Sequence, residues 1–141
     1  MGWKRKVQDI LMGNHPLGVP QTRRKTIDIT GNVTLSVRDS GAIFTTNGAS
    51  AASNLVITLP LLADSKGCVY TIICTTDVNT ITVASQTTDL ITFNDLSATS
   101  VGFNEGTDVN NVGGGFTFIN DGTNWLAFVH LGDEGQSTVV V

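Results

Sequence analysis

Short runs in which apolar and polar residues alternate return along most of the chain at roughly ten-residue intervals, the spacing of strands that bury one face. They are Thr26-Ile27-Asp28-Ile29-Thr30, Val33-Thr34-Leu35-Ser36-Val37, Ala42-Ile43-Phe44-Thr45, Leu55-Val56-Ile57-Thr58-Leu59, residues 68–74, Thr80-Ile81-Thr82-Val83, Leu90-Ile91-Thr92-Phe93, Phe116-Thr117-Phe118-Ile119 and residues 125–131. Turn-forming residues punctuate them: Thr30-Gly31-Asn32, Asp39-Ser40-Gly41, Asn47-Gly48, Lys66-Gly67, Asn94-Asp95 and Asn120-Asp121-Gly122. The pattern predicts an all-β body of about eight or nine short antiparallel strands, arranged as a β-sandwich, a jelly roll or a small barrel. Its sharpest local feature is a hairpin over residues 116–129, in which Asp121-Gly122 supplies the positive φ that a tight turn needs. Pro60 lacks the amide that would continue a ladder, so it ends the strand before it. Residues 104–114 read as a long polar loop, with Gly113-Gly114-Gly115 leading into the next strand.

The first twenty-five residues break this pattern. Trp3, Val7, Ile10 and Leu11 recur at helical spacing with Lys4, Arg5, Lys6, Gln8 and Asp9 around the rest of the turn, and Gly13 supplies a stop. So short a helix is marginal in water and predicts folding against a partner surface. Residues 14–22 hold two of the three prolines and read as an extended linker reaching up to roughly 30 Å. The chain thus divides into an arm, residues 1–25, and a β body, residues 26–141.

Charge follows the same division. The net charge of −4 conceals an arm with six basic residues against Asp9, +5, and a body with Arg38 and Lys66 against eleven carboxylates, −9. A basic arm on an acidic body predicts an interaction tail with an acidic target. The tail is more apolar than counterion release requires, so docking on protein is favoured over nucleic acid. No apolar run approaches the roughly 18 residues of a membrane span, and the charged start has no apolar leader, so a soluble protein made in the cytoplasm is expected, without a membrane partner.

Catalytic chemistry is poorly supplied. Cys68 and Cys74 lie in one run, about 20 Å apart if it is a strand, too far to bridge, and read as small buried hydrophobes. His15 sits in the linker, and His130 with Asp133 and Glu134 fits no metal-ligand spacing. No nucleophile elbow, phosphate loop, dinucleotide fingerprint or calcium loop occurs. The expectation is therefore a protein that is not an enzyme and has no catalytic residues, metal or cofactor.

Five segments occur in a telling order over roughly residues 30–130: Val33-Thr34-Leu35, Asp39-Ser40-Gly41, Ile57-Thr58-Leu59-Pro60, Gly67-Cys68-Val69-Tyr70-Thr71-Ile72 and Asn120-Asp121-Gly122-Thr123-Asn124-Trp125. The ordered set resembles small β-rich virion proteins of tailed bacteriophages, with the arm outside the resemblance. Proteins of this look serve as capsid decoration or cement proteins, often trimers, and similar modules occur in tails and fibres. The resemblance implies a structural role on the capsid exterior with the major capsid protein as partner. On that reading Trp3, Lys4, Arg5, Lys6, Val7, Ile10, Leu11, Arg23, Arg24 and Lys25 form the capsid-binding arm. The body, short of charged gatekeepers at its strand edges, is expected to form a homo-oligomer, with Val139, Val140 and Val141 adding as a strand to a neighbour. The alternative is a receptor- or glycan-binding module of a tail or fibre, with Trp125 or the 104–114 loop on an exposed ligand face, although Trp125 is expected first of all to pack in the core beside the hairpin.

Overall fold

The computed structural model describes residues 24–104, 112–130 and 138–140. Twelve strands run through them: β1 Thr26–Asp28, β2 Val33–Thr34, β3 Ile43–Thr45, β4 Asn54–Thr58, β5 Val69–Ile73, β6 Thr80–Ala84, β7 Ile91–Phe93, β8 Leu96–Ala98, β9 Ser100–Asn104, β10 Gly115–Asn120, β11 Trp125–His130 and β12 Thr138–Val140. The body is all-β. Every run singled out by its alternation contains a strand, although residues 33–37 give only two strand residues before a short 3-10 helix, Val37–Asp39, capped by Ser36.

The strands form two sheets. The first is ordered β1-β3-β5-β10-β11-β7-β8 and the second β12-β9-β6-β4-β2. Here the expectation of antiparallel strands is corrected, because both sheets are mixed. β1, β3 and β5 are mutually parallel neighbours in the first sheet, and β2, β4 and β6 are so in the second. The chain alternates between sheets as it advances and returns each time beside its earlier strand in the same direction. The reason is physical: the turn at Thr30-Gly31-Asn32 carries the chain to the other sheet instead of back along the same one. Turn residues specify a reversal of φ and ψ, not which sheet receives the next strand.

After β6 the chain makes two local hairpins, β7–β8 and β10–β11, while β9 returns to the second sheet beside β6. Asn94 and Asp95, both at positive φ, turn β7 into β8 with Phe93 opposite Leu96, the two-residue hairpin geometry. The 116–129 hairpin is present as β10 and β11, closed by Asn120 opposite Trp125, and Gly122 takes φ +96° at its tip. The 104–114 loop lies outside the described residues except at Asn104 and residues 112–114.

Alternation along the strands sends one set of side chains into a single core shared by both sheets. Phe44, Tyr70, Ile72, Phe116, Phe118 and Trp125 come from the first sheet, and Leu55, Ile57, Ile81 and Val83 from the second. Tyr70 stands between Phe44 and Trp125, with ring centroids 6.1 and 5.8 Å away, tilted contacts worth about 0.5–1.5 kcal/mol each beyond area burial. Cys68 and Cys74 form no disulfide and are buried on the same side of β5. Two buried polar groups organise the turns. Asn120 Nδ2 donates to Leu62 O and Ser65 Oγ, both at 2.9 Å, while its Oδ1 accepts from Gly122 N at 2.8 Å. Thr46 Oγ1 accepts from the amides of Thr75 and Thr76 at 3.0 and 2.9 Å.

Candidate interaction surface

The side chains that point away from the core differ between the sheets. In the first sheet, register aligns Thr26, Ile43, Thr71, Thr117 and Phe128 across five strands. A second outward row joins Asp28, Thr45, Ile73, Gly115 and His130, and a third joins Val69, Ile119, Leu126, Thr92 and Ser97. Six apolar side chains therefore share this face: Ile43, Val69, Ile73, Ile119, Leu126 and Phe128. Phe128 is 50% exposed. A polar thread crosses it: Arg24 Nη2 donates to Thr71 Oγ1 at 3.2 Å, Thr71 Oγ1 meets Thr117 Oγ1 at 3.4 Å, and Thr117 Oγ1 meets His130 Nε2 at 3.1 Å.

On β4, β6 and β9 of the second sheet the corresponding positions are Asn54, Thr58, Thr80, Thr82, Ala84, Ser100 and Gly102, with Val56 the one large apolar residue among them, and register adds Val140 of β12 at the end of the Val56 row. Asn32 Oδ1 accepts from Val56 N at 2.9 Å, so a side chain continues the ladder that β2 begins.

The base of the arm is fixed to the body. Arg24 Nε donates to Gly41 O at 2.6 Å, Lys25 O accepts from Ile43 N at 2.8 Å, and Lys25 Nζ pairs with Asp39 Oδ1 at 3.4 Å. Two residues assigned by sequence to the arm are thus bonded to strands β3 and β5 or the segment between β2 and β3. The short residues opposite them, Gly41, Asp39 and Thr71, gave no charge pattern from which this seat was readable. Trp3, Lys4, Arg5, Lys6, Val7, Ile10, Leu11 and Arg23 lie outside the described residues.

The C-terminal strand is used within the chain. Val139 and Val140 stand opposite Phe103 and Gly102 of β9, and β12 ends the order of the second sheet; Val141 lies outside the described residues.

Trp125, the aromatic considered for a ligand face, is fully buried, and its indole Nε1 has no partner among the described residues. That burial puts Trp125 in the core beside the hairpin and takes it off the ligand face that the receptor-binding alternative needs, and the reason is its position opposite Asn120 and Ile91, on the inward side of β11. Burial pushes the Tyr70 hydroxyl above its ordinary range, with the Cys68 thiol and the Asp39 charge adding to the effect, and the hydroxyl donates to Ser36 O at 2.9 Å. The Asp121 carboxylate is held below its ordinary range by the amides of Asn124 and Thr123, and the Lys66 charge helps. Among the described residues no group of three or more His, Cys, Asp or Glu side chains is gathered to hold a metal ion, and no helix is long and apolar enough to cross a membrane. A groove beside the β1–β2 connection, lined by Ile27–Val33 and Phe44, contains Asp28 as its one ionisable group among the described residues.

Compared with protein families, with curated proteins and with solved structures, the chain gives no significant match. Function therefore has to be argued from the two outer faces and the arm.

Proposed function

We propose that this protein is a structural, non-enzymatic component of a virus particle, decorating the outer surface of a bacteriophage capsid as a homo-oligomer, a trimer being favoured. The single observation that supports the reading is the union of a low-charge, acidic all-β body with a basic, apolar-striped arm whose base is seated on that body. In this reading the two mixed sheets, sharing one core, are the halves of a sandwich. The arm lays Trp3, Val7, Ile10 and Leu11 into an apolar groove of the major capsid protein, and its basic residues meet shell carboxylates. Several arms per oligomer add through effective concentration, so weak single contacts give firm attachment. The ligand-face alternative has lost its aromatic, because Trp125 lies in the core.

Copy number in purified particles tests the role. Quantitative mass spectrometry against the main shell protein should give near one copy per shell subunit, or one trimer per local threefold. A handful of copies per particle would place the protein in the tail and refute decoration. Removal of residues 1–23, with Arg24 and Lys25 kept because the body uses them, should abolish binding to bare shells; retained binding would remove the arm from the mechanism.

A further inference from the structure

Exposed sheet faces of single domains are ordinarily polar, and a continuous apolar patch marks an interaction site. The outer face of the first sheet carries such a patch, in which Phe128 is exposed and the other five apolar side chains are half-buried. Ile43, Val69, Ile73, Ile119, Leu126 and Phe128 all point outward from it, and its described ionisable side chains are Asp28 and His130, at opposite ends of one row, together with Arg24 from the arm.

We propose that in the unassembled protein this face is the seat of the chain's own N-terminal segment, with the stripe Trp3, Val7, Ile10 and Leu11 lying over Ile119, Leu126 and Phe128. The inference concerns the free protein and stands whether or not a capsid is the arm's final partner.

Three observations select this occupant. First, the chain is already on the face where residues 1–23 join it. Arg24 reaches from the β1 edge to Thr71 on β5, along the row that ends at Phe128. Second, the lengths agree. A seven-stranded sheet is about 29 Å across at ~4.8 Å per strand, and residues 14–22 can span about 30 Å. The linker therefore carries the stripe from the β1 edge to the β10–β11 side without strain. Third, charge separates the arm from a second body. Residues 1–23 carry four basic side chains against Asp9, whereas another copy of residues 26–141 would bring eleven carboxylates to a body with the same eleven. An arm tethered to its own sheet also meets it at the high effective concentration of a short linker, which a neighbour's arm does not.

The stripe thus has a second use. A segment able to dock on another protein needs its apolar residues covered until that protein is met, and the sheet needs the same cover. Each satisfies the other, and handover to a partner would expose both the face and its polar thread.

Tryptophan fluorescence of the full-length protein tests this, because Trp3 and Trp125 are its two tryptophans and Trp125 is fully buried. Acrylamide should quench neither in the wild-type protein, at any dilution. In Leu126→Glu one of the two should become quenchable, while Val56→Glu on the second sheet should leave both protected. Ile119→Thr, a milder change on the same face, should give a partial effect, and near-ultraviolet circular dichroism of the Tyr70–Trp125 pair verifies that the core is intact in each variant. Quenching of Trp3 in the wild-type protein would overturn the proposal. So would protection that persists in a folded Leu126→Glu. Protection that fades on dilution would assign the face to another copy and overturn it equally.

Discussion

The two sheets of this protein are alike on the inside and unlike on the outside. Inward positions of both are filled by large apolar side chains belonging to one core. Outward positions of the second are mostly threonine, asparagine, serine and alanine, with Val56 and Val140 in one row, whereas those of the first carry six large apolar residues. Core formation explains the inner symmetry. It cannot explain the outer asymmetry, because a sheet needs one apolar face to fold and gains nothing from a second unless something covers it. The lesson is that strand alternation reports burial on one side only; function has to be sought in the composition of the other.

The largest effects should come from breaking the inner symmetry. Phe118→Ala under the first sheet and Ile81→Ala under the second should each lower stability by about 3–5 and 2–5 kcal/mol, since both leave cavities in one packed interior. Denaturant midpoints measure this, and a small loss at either position would mean the sheets do not share a core. Next comes Asn120→Ala, which removes its hydrogen bonds to Leu62 O, Ser65 Oγ and Gly122 N, each worth about 0.5–1.5 kcal/mol. Hydrogen exchange should rise at the β10–β11 turn and the 62–68 segment, leaving the second sheet unchanged.

Smaller effects sharpen the difference between the outer faces. Thr82→Ile on the second sheet should change stability by no more than ~0.5 kcal/mol, as at an ordinary exposed position, but should promote self-association measurable by light scattering. Acid should weaken the first sheet selectively through Asp121. Its folded carboxylate sits below the ordinary 3.8, so its contribution is present above the unfolded value and disappears as pH falls through the folded one. Asp121→Ala should therefore melt below wild type at neutral pH, with the two melting temperatures converging in acid. Smallest is Lys25→Ala: with Lys25 69% exposed, the Asp39 pair should be worth less than about 1 kcal/mol and fade with salt.

Much of this was legible in the residues. Period-two alternation located the strands of β1 to β7, β10 and β11, because each buries one face, and Asp121-Gly122 located a turn that only a few residue types can make. The strands β8 and β9 were not legible: Leu96-Ser97-Ala98 and Ser100-Val101-Gly102 are short, small and partly polar, and only their pairing with β7 and β6 makes them strands. Parallel pairing was hidden for a similar reason, since strand direction depends on which sheet the chain enters and local propensity is silent on that. In the candidate surface, the arm's stripe was readable from spacing. Its seat was not, because Ile43, Val69, Ile73, Ile119 and Leu126 are ordinary strand residues one by one and become a patch only when register brings four strands together.

The parallel winding of β1 through β6 also fixes an order of events at the ribosome. Three strands of the first sheet can pair as they emerge, but β5 must wait for β10, its partner from Val69 opposite Ile119 to Ile73 opposite Gly115. Synthesis at about 5–20 residues per second leaves that edge bare for a time on the order of seconds. A nascent chain of this protein spends that interval with a half-built sheet whose open strand is rich in valine and isoleucine, the kind of edge that pairs with the wrong neighbour. Any slowing of translation between residues 74 and 115 should lengthen the exposure and raise the share of chains lost to aggregation.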